Sequence, residues 1–235
     1  MSSKKAKNPN PYKKPEPKKT PWGLIALCAA LVVALGVGAY AIWGNKPASG
    51  DGVISGEITA APDIDMSATH QVEIEIQDYG TIKAELYGNM APITVQNFVK
   101  LAQSGFYDGL TFHRIISGFM IQGGDPLGTG LGGSEEKIKG EFSANGVVNP
   151  LSHTRGVLSM ARNSISMDSA SSQFFIMHQD RAALDGQYAA FGKVTEGIEI
   201  VDAICQNTPV TDNNGTVPKA NQPIITAIRV VEAGK

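Results

Sequence analysis

The chain has 235 residues, of which 42% are hydrophobic, and it carries 20 basic and 22 acidic side chains. This length and composition suit one folded domain with additional segments and exclude a wholly disordered chain. Two cysteines are too few for a disulfide framework or a cysteine-based zinc cluster, and a net charge of −2 argues against a nucleic-acid-binding protein.

The charge is unevenly distributed along the chain. Residues 1–21 contain seven lysines and one glutamate, a net charge of +6, which leaves −8 on the remaining residues. Five prolines are interspersed among these lysines. Because like charges and prolines oppose the formation of a core, we predict a solvated and disordered basic tail at residues 1–21.

We predict a single transmembrane helix at residues 22–43. This stretch contains 22 residues and no Asp, Glu, Lys, Arg or His, and as a helix it would extend roughly 33 Å across a hydrocarbon core of about 30 Å. Trp22, Tyr40 and Trp43 lie near its two ends, as expected of aromatic belts. The preceding lysines place the N-terminus in the cytoplasm. The expected localisation is therefore the cell membrane, single-pass, with the rest of the chain outside the cytoplasm.

A cleavable signal peptide is the main alternative to an anchor, with Ala39–Ala41 as the cleavage site. The apolar run is longer than a signal-peptide core and is flanked by tryptophans, so we favour an uncleaved anchor. A lipoprotein anchor at Cys28 is disfavoured because this cysteine lies inside the apolar run. Residues 44–69 are rich in Gly, Ser, Ala, Pro and Asp, which indicates a flexible linker.

The folded domain is predicted at residues 70–235, and its apolar periodicity indicates mainly strands. Alternating residues predict a hairpin of strands at 71–76 and 81–87. Pro92 suits the first turn of a helix that ends near Gly105. Further strands are predicted at 111–116, 119–123, 156–160, 172–178, 188–194 and 224–231, and a second helix at 198–204. Many short strands and few helices indicate an antiparallel sandwich or barrel.

Several possible motifs are not supported by the sequence around them. Residues 128–133 have the G-x-G-x-x-G spacing of a dinucleotide loop, but no convincing helix follows and no β-α-β unit surrounds them, so we do not predict nucleotide binding. The four histidines show no spacing of metal ligands, and we predict structural or solvent-facing roles for them. Asn214–Thr216 is a formal glycosylation sequon, but a surface loop is sufficient to explain it.

Four blocks of sequence carry a specific resemblance. Residues 112–125 have the sequence FHRIISGFMIQGGD, and 156–162, 171–177 and 184–194 have the sequences GVLSMAR, SSQFFIM and LDGQYAAFGKV. Together they resemble the cyclophilin family of peptidyl-prolyl cis/trans isomerases over essentially all of residues 70–235. The resemblance implies an all-β domain: a closed eight-stranded antiparallel barrel capped by two α-helices.

The resemblance also implies a site that needs no metal and no cofactor. The implied catalytic residues are Arg114, Gln122 and Phe119. The residues implied to bind substrate are Met120, Phe175 and Leu184, which complete an apolar proline pocket with Phe119, then Ala161, Arg162 and Gln173 for the residues before the proline, and Tyr188. Strand alternation turns Phe112, Phe174 and Ile176 away from this site, so we predict them in the core.

The chain departs from the family pattern at three positions in or near these blocks. Ser117 stands where proline is common, and Arg162 replaces an asparagine that is frequent in eukaryotic members. Ala183 falls where those members carry a tryptophan associated with tight cyclosporin binding, so we predict weak cyclosporin binding. Tyr188 occupies a position that is His in many eukaryotic members and Tyr in many bacterial ones.

The sequence therefore predicts a bacterial, membrane-anchored prolyl isomerase that acts on proline-containing polypeptides, in particular exported proteins that refold after crossing the membrane. It predicts no nucleic-acid partner. The main alternative is a catalytically weak proline-binding holdase or scaffold at the membrane surface. A component of a surface complex is a third possibility, supported only by the predicted anchor.

Overall fold

The computed structural model describes residue 65 and residues 67–231. The predicted basic tail, the predicted transmembrane helix at 22–43, and residues 44–64 and 66 of the predicted linker lie outside the described residues. Within the part that is described, no helix combines the length and the apolar character needed to cross a bilayer.

Eight strands and two helices make up the described fold. The strands are β1 (Thr69–Ile76), β2 (Gly80–Tyr87), β3 (Thr111–Ile116), β4 (Met120–Asp125), β5 (Val157–Met160), β6 (Phe174–Met177), β7 (Ala190–Glu196) and β8 (Ile225–Val231). The helices are α1 (Pro92–Gln103) and α2 (Ile198–Asn207). The sequence predicted each of these elements, and the largest difference is that α2 continues three residues beyond the predicted end.

All eight strands belong to one antiparallel sheet in the order β3-β4-β6-β5-β7-β2-β1-β8. The predicted closed barrel is not observed, because no ladder joins the end strands β3 and β8. Near their first residues they are connected by an isolated bridge between Thr111 and Ile224 and by hydrogen bonds from the Phe112 N–H to the Pro223 carbonyl, from the Ile225 N–H to the Leu110 carbonyl and from the Gly109 N–H to the Ile225 carbonyl. The eight-stranded antiparallel prediction is confirmed, and the closure is wrong.

The sheet stays open because a loop occupies the outer edge of β3. Beyond Phe112 this edge is paired with the loop segment 214–217 instead of with β8. The Ile115 N–H donates to the Gly215 carbonyl at 2.8 Å, the Val217 N–H donates to the His113 carbonyl at 3.0 Å, and Arg114 and Thr216 form an isolated bridge. A distant loop thus lies directly beside Arg114.

Each helix packs on the sheet, α1 against β8 and β2, and α2 against β2. Pro92 begins α1, as predicted, but its N-cap residue makes no side-chain hydrogen bond to the helix. The buried Glu141 takes that role: its carboxylate accepts the N–H groups of Ile93 and Thr94 at 3.1 and 2.7 Å. A carboxylate at a helix N-terminus satisfies free N–H groups and interacts favourably with the helix dipole.

Two separate groups of apolar residues contact the sheet. The larger one, called the inner core here, surrounds Phe98, Tyr107, Phe112, Phe174 and Phe191, all of which are fully buried. The smaller one, called the groove cluster, has the buried members Met120, Val157, Phe175, Met177 and Ala190 and the half-buried members Ile116, Phe119, Leu151, Ala161, Leu184 and Tyr188. As predicted, Phe112, Phe174 and Ile176 lie in the inner core.

Candidate active site

The guanidinium of Arg114 is held by residues from two different parts of the fold. Its Nη1 donates to Gln122 Oε1 at 3.2 Å, across the β3–β4 pairing. Its Nε donates to the Asn214 carbonyl at 2.8 Å and its Nη2 donates to Asn214 Oδ1 at 3.0 Å. Burial lowers the pKa of Arg114 from its ordinary value, yet an arginine remains charged in proteins. The structure therefore presents a fixed, permanent cation.

Gln122 continues this contact across the sheet surface. Its Nε2 donates to Gln173 Oε1 at 2.9 Å, and Gln173 Nε2 donates to the carbonyls of Gly130 and Gly132 at 3.0 and 2.7 Å. Each amide has one orientation in this series, because its oxygen accepts from one neighbour and its nitrogen donates to the next. The series, called the amide relay here, fixes the three predicted residues Arg114, Gln122 and Gln173 relative to one another.

The glycine-rich loop at the end of the amide relay wraps around Asp125. The Asp125 carboxylate, at the end of β4, accepts the N–H groups of Leu127, Thr129 and Gly130 at 2.8, 2.9 and 2.6 Å. Burial alone would raise the pKa of Asp125, but these backbone hydrogen bonds hold it below its ordinary value. A Cβ at Gly132 would overlap Asp125 Oδ1, so that position needs glycine. The motif at 128–133 thus binds an internal carboxylate.

The groove cluster lies beside the amide relay. Gln122 is paired in register with Phe175 of β6, so the polar relay and the apolar surface meet on neighbouring strands. Met120 and Phe175 are buried, whereas Phe119, Ala161, Leu184 and Tyr188 are half-buried and remain partly open to solvent. The structure thus brings these six predicted residues together in one surface.

Two arginines cover aromatic rings of this surface. The Arg162 guanidinium lies 4.9 Å from the Tyr188 ring centroid and 5.3 Å from that of Phe142, and its Nε donates to the Gln187 carbonyl at 3.0 Å. The Arg181 guanidinium lies 5.1 Å from the Phe119 ring centroid. Such cation–π contacts orient both partners. Arg162, the last of the ten predicted site residues, therefore joins the others through Tyr188.

A serine, a histidine and an aspartate form a hydrogen-bonded array behind Phe175. His153 Nε2 lies 3.0 Å from Ser159 Oγ, and its Nδ1 lies 2.9 Å from Asp185 Oδ1. Ser159 and the His153 side chain are fully buried, so a substrate cannot reach this hydroxyl. The His153 ring stacks on Phe175 with 6.1 Å between centroids. The array therefore supports the floor of the groove and is not placed for nucleophilic attack.

Sequence reasoning missed three residues that contact the site. Asn214, which holds Arg114, was interpreted as part of a surface turn. Asp125 was within a quoted motif but was assigned no role. His178, which accepts a hydrogen bond from the turn before Phe119, was one of four histidines without ligand spacing. Among residues 67–231 and residue 65, no group of three or more His, Cys, Asp or Glu side chains is placed to hold a metal ion.

An open antiparallel sheet with a fixed arginine beside an apolar groove defines a site suited to non-covalent catalysis on an extended polypeptide. Comparison with known proteins identifies the family to which a chain with this site belongs. Residues 71–230 match the family described as cyclophilin type peptidyl-prolyl cis-trans isomerase/CLD. The chain belongs to this family, and it is a peptidyl-prolyl cis-trans isomerase.

Individual relatives agree with this assignment. The chain is 51% identical to peptidyl-prolyl cis-trans isomerase B of Bacillus subtilis over 124 residues, which are 53% of this chain and 82% of that protein. It is 47% identical to a Helicobacter pylori peptidyl-prolyl cis-trans isomerase over 129 residues, 54% of this chain and 76% of that protein. A Cryptosporidium parvum cyclophilin type isomerase, crystallised in the presence of the dipeptide Ala-Pro, is 35% identical with a TM-score of 0.61, covering 69% of this chain and 99% of its own.

Proposed function

We propose that the groove binds a proline-containing polypeptide with the proline ring on Phe119, Met120, Phe175 and Leu184, and that Arg114 stabilises the twisted amide. The observation that carries this proposal is the amide relay, which holds the Arg114 cation beside the groove cluster. Residues before the proline would lie along Ala161, Gln173 and Arg162, with the Arg162 guanidinium kept in place by Tyr188.

The chemistry requires a site that prefers a twisted amide over either planar form. Rotation about an amide costs about 18–20 kcal/mol because resonance is lost, and uncatalysed X-Pro exchange takes tens of seconds. A rate gain of about 10⁵ needs roughly 7 kcal/mol of preferential binding to the twisted form. An apolar floor favours the less polar twisted amide, and a cation beside it stabilises the lone pair that appears on the prolyl nitrogen.

The hydrogen bonds of Arg114 leave two donors for this task. A guanidinium carries five N–H groups, and three of them are directed at Gln122 and Asn214. One N–H on each of Nη1 and Nη2 has no acceptor among the described residues. These two donors are available to the prolyl nitrogen or to the preceding carbonyl, and the second Nε2–H of Gln122 is available to a substrate carbonyl.

The matched pair Arg114→Ala and Arg229→Ala tests this mechanism in the full chain. Arg229 pairs with Asp108 away from the groove and serves as the control. We expect Arg114→Ala to lower kcat/KM for an X-Pro peptide by about 100-fold while peptide binding, measured by titration, is largely kept. Unchanged isomerisation in Arg114→Ala would contradict the proposed site, whereas a parent chain that binds the peptide without accelerating its isomerisation would support the holdase alternative.

We further propose that this isomerase is bacterial and tethered to the membrane by residues 22–43, with its catalytic domain outside the cytoplasm. The uncharged 22-residue run and the +6 tail before it support this topology. In a bacterial host that expresses the full chain, we expect protease added to intact, wall-stripped cells to degrade the catalytic domain. A domain that becomes sensitive only after lysis would contradict the topology.

Exported proteins that refold after translocation are the proposed substrates. We expect the purified full chain to accelerate refolding of a test protein whose slow phase is X-Pro isomerisation, and Arg114→Ala not to do so. No acceleration at near-stoichiometric enzyme would contradict this proposal.

Weak cyclosporin binding is proposed on the basis of Ala183, which lies exposed in the short 3-10 turn Ala182–Leu184. A methyl group here offers far less apolar contact than the tryptophan of eukaryotic members. We expect inhibition only at micromolar or higher cyclosporin in a titration of isomerase activity, and we expect Ala183→Trp to strengthen it.

A further inference from the structure

The turn that carries Phe119 is tied to His178 by two hydrogen bonds. Between β3 and β4, the Gly118 N–H donates to His178 Nδ1 at 2.8 Å, and the His178 N–H donates to the Phe119 carbonyl at 2.8 Å. Gly118 has φ +78°, a left-handed conformation that glycine adopts without strain. The position of Phe119 in the groove therefore depends on a side chain that follows β6.

The hydrogen bonds of His178 define its tautomer. Because Nδ1 accepts from Gly118, the ring proton must be on Nε2, which lies 3.1 Å from Asp202 Oδ1 on α2. The His178 side chain is only 13% exposed. Asp202 is itself held by Arg155, whose Nη1 and Nη2 donate to its two oxygens at 2.7 Å each. That pairing with Arg155 outweighs burial and lowers the pKa of Asp202, so the carboxylate stays charged.

We propose that His178 is a positioning residue of the isomerase reaction: Asp202 holds its imidazole as the tautomer that accepts from Gly118, and this bond sets the place of Phe119 in the groove. The proposal rests on the proposed role of Phe119 at the proline ring. Arg181 contacts the same residue, since its guanidinium lies 5.1 Å from the Phe119 ring centroid.

Two amide variants separate the two hydrogen bonds of the ring. The short amide of His178→Asn places its oxygen near the position of Nδ1 and can still accept from Gly118. The longer amide of His178→Gln places its nitrogen near Nε2 and keeps only the contact with Asp202. We expect His178→Gln to lower kcat/KM for an X-Pro peptide by about 3- to 10-fold and His178→Asn to stay within about 2-fold of the parent chain at pH 8.

The comparison of the two amides provides the reading that a purely structural role would not change, because both remove the imidazole but only His178→Asn restores the acceptor for Gly118. His70→Asn is the matched control and should keep the activity of the parent chain, because the hydrogen bond given by the His70 ring on β1 goes to the Asp65 carbonyl. Unfolding free energies measured in parallel identify any loss that is due to misfolding.

Three outcomes distinguish the possibilities. If His178→Gln is as active as the parent chain, or if His178→Asn loses as much activity as His178→Gln, the positioning role is wrong. If Arg114→Ala in the same assay keeps full activity, the proposed site itself is wrong. If His178→Gln fails to fold, the activity of His178→Asn alone decides, since the proposal requires it to stay within about 2-fold of the parent chain.

Discussion

The inner core and the groove cluster are built from the same strands, yet they are covered differently. Phe174 and Phe175 are neighbours on β6, and strand alternation directs the first into the inner core and the second into the groove cluster. In the inner core the rings of Tyr107, Phe174 and Phe191 surround Phe98 of α1, at centroid distances of 5.0 to 5.3 Å. The groove cluster is bordered by loops and keeps half-buried side chains. The rings of the inner core are fully buried, whereas the groove cluster keeps side chains that solvent can reach.

Alanine at the two neighbouring phenylalanines gives the largest expected contrast. Phe174→Ala should lower the free energy of unfolding by about 3–5 kcal/mol, because it leaves a cavity in a fully packed core. Phe175→Ala should cost less stability and lower kcat/KM by about 10- to 100-fold, since an apolar contact with the substrate is lost. Urea unfolding and a peptide isomerisation assay on both variants measure the difference. Equal losses of stability together with equal kcat/KM in the two variants would contradict this contrast.

His113 and Arg114 are neighbours on β3 and differ in their hydrogen bonding: the Arg114 guanidinium donates to Gln122 and Asn214, whereas the His113 ring has no such partner in the described part of the chain. His113 is buried, both its ring nitrogens are without a hydrogen-bond partner among the described residues, and burial lowers its pKa from 6.5 to about 4. As the pH falls from about 6.5 to about 4, the unfolded chain binds a proton that the folded chain does not. Stability should therefore decrease over this range by up to about 3 kcal/mol.

The variant His113→Leu checks this prediction by urea unfolding at pH 7 and at pH 4.5. We expect the loss of stability in acid to become smaller than in the parent chain, while a residual loss remains because burial also lowers the pKa of His153. An unchanged pH dependence would mean that His113 is not the group that opposes protonation.

Removal of the Asp125 carboxylate should affect the groove more than the inner core. Asp125→Ala frees the N–H groups of Leu127, Thr129 and Gly130 and loosens the carbonyls that hold Gln173. We expect kcat/KM to fall by about 10-fold and amide exchange at Thr129 and Gly130 to accelerate. Asp108→Asn, at a surface ion pair with Arg229, is the matched control. Amide exchange that stays slow at Thr129 and Gly130 in Asp125→Ala would contradict the prediction that this carboxylate holds the loop.

The smallest expected effect concerns the second support of Arg114. Asn214→Ala removes the Oδ1 acceptor but keeps the backbone carbonyl that Nε contacts, so kcat/KM should fall only by about 2- to 5-fold. Asn214→Asp keeps an acceptor and should be close to the parent chain. The adjacent and exposed Asn213 provides the control variant Asn213→Ala. If both asparagine-to-alanine variants behave alike, the side-chain contact contributes nothing measurable.

Local periodicity was sufficient to predict most of the fold. Alternation placed Phe174 and Phe175 on opposite faces, and Pro92 marked the start of α1. The ten predicted site residues came from motif resemblance, and the structure brings them together in the amide relay and the groove cluster, with Arg162 joined through Tyr188. Local patterns do not encode contacts between distant segments. Asn214 reaches Arg114 across 100 residues and His178 reaches Gly118 across 60. The closed barrel was what the resemblance implied, and the segment 214–217 that pairs with the outer edge of β3 has no strand pattern that would have indicated otherwise.

The loop around Asp125 shows why a glycine spacing alone does not identify a nucleotide site. Successive backbone N–H groups can bind an anion such as phosphate, but here those of Leu127, Thr129 and Gly130 donate to a carboxylate of the same chain. A tethered ligand acts at an effective concentration far above that of any free anion. The N–H groups of the loop are therefore already occupied by Asp125 in the folded chain. A phosphate added in solution should neither bind there nor alter isomerisation.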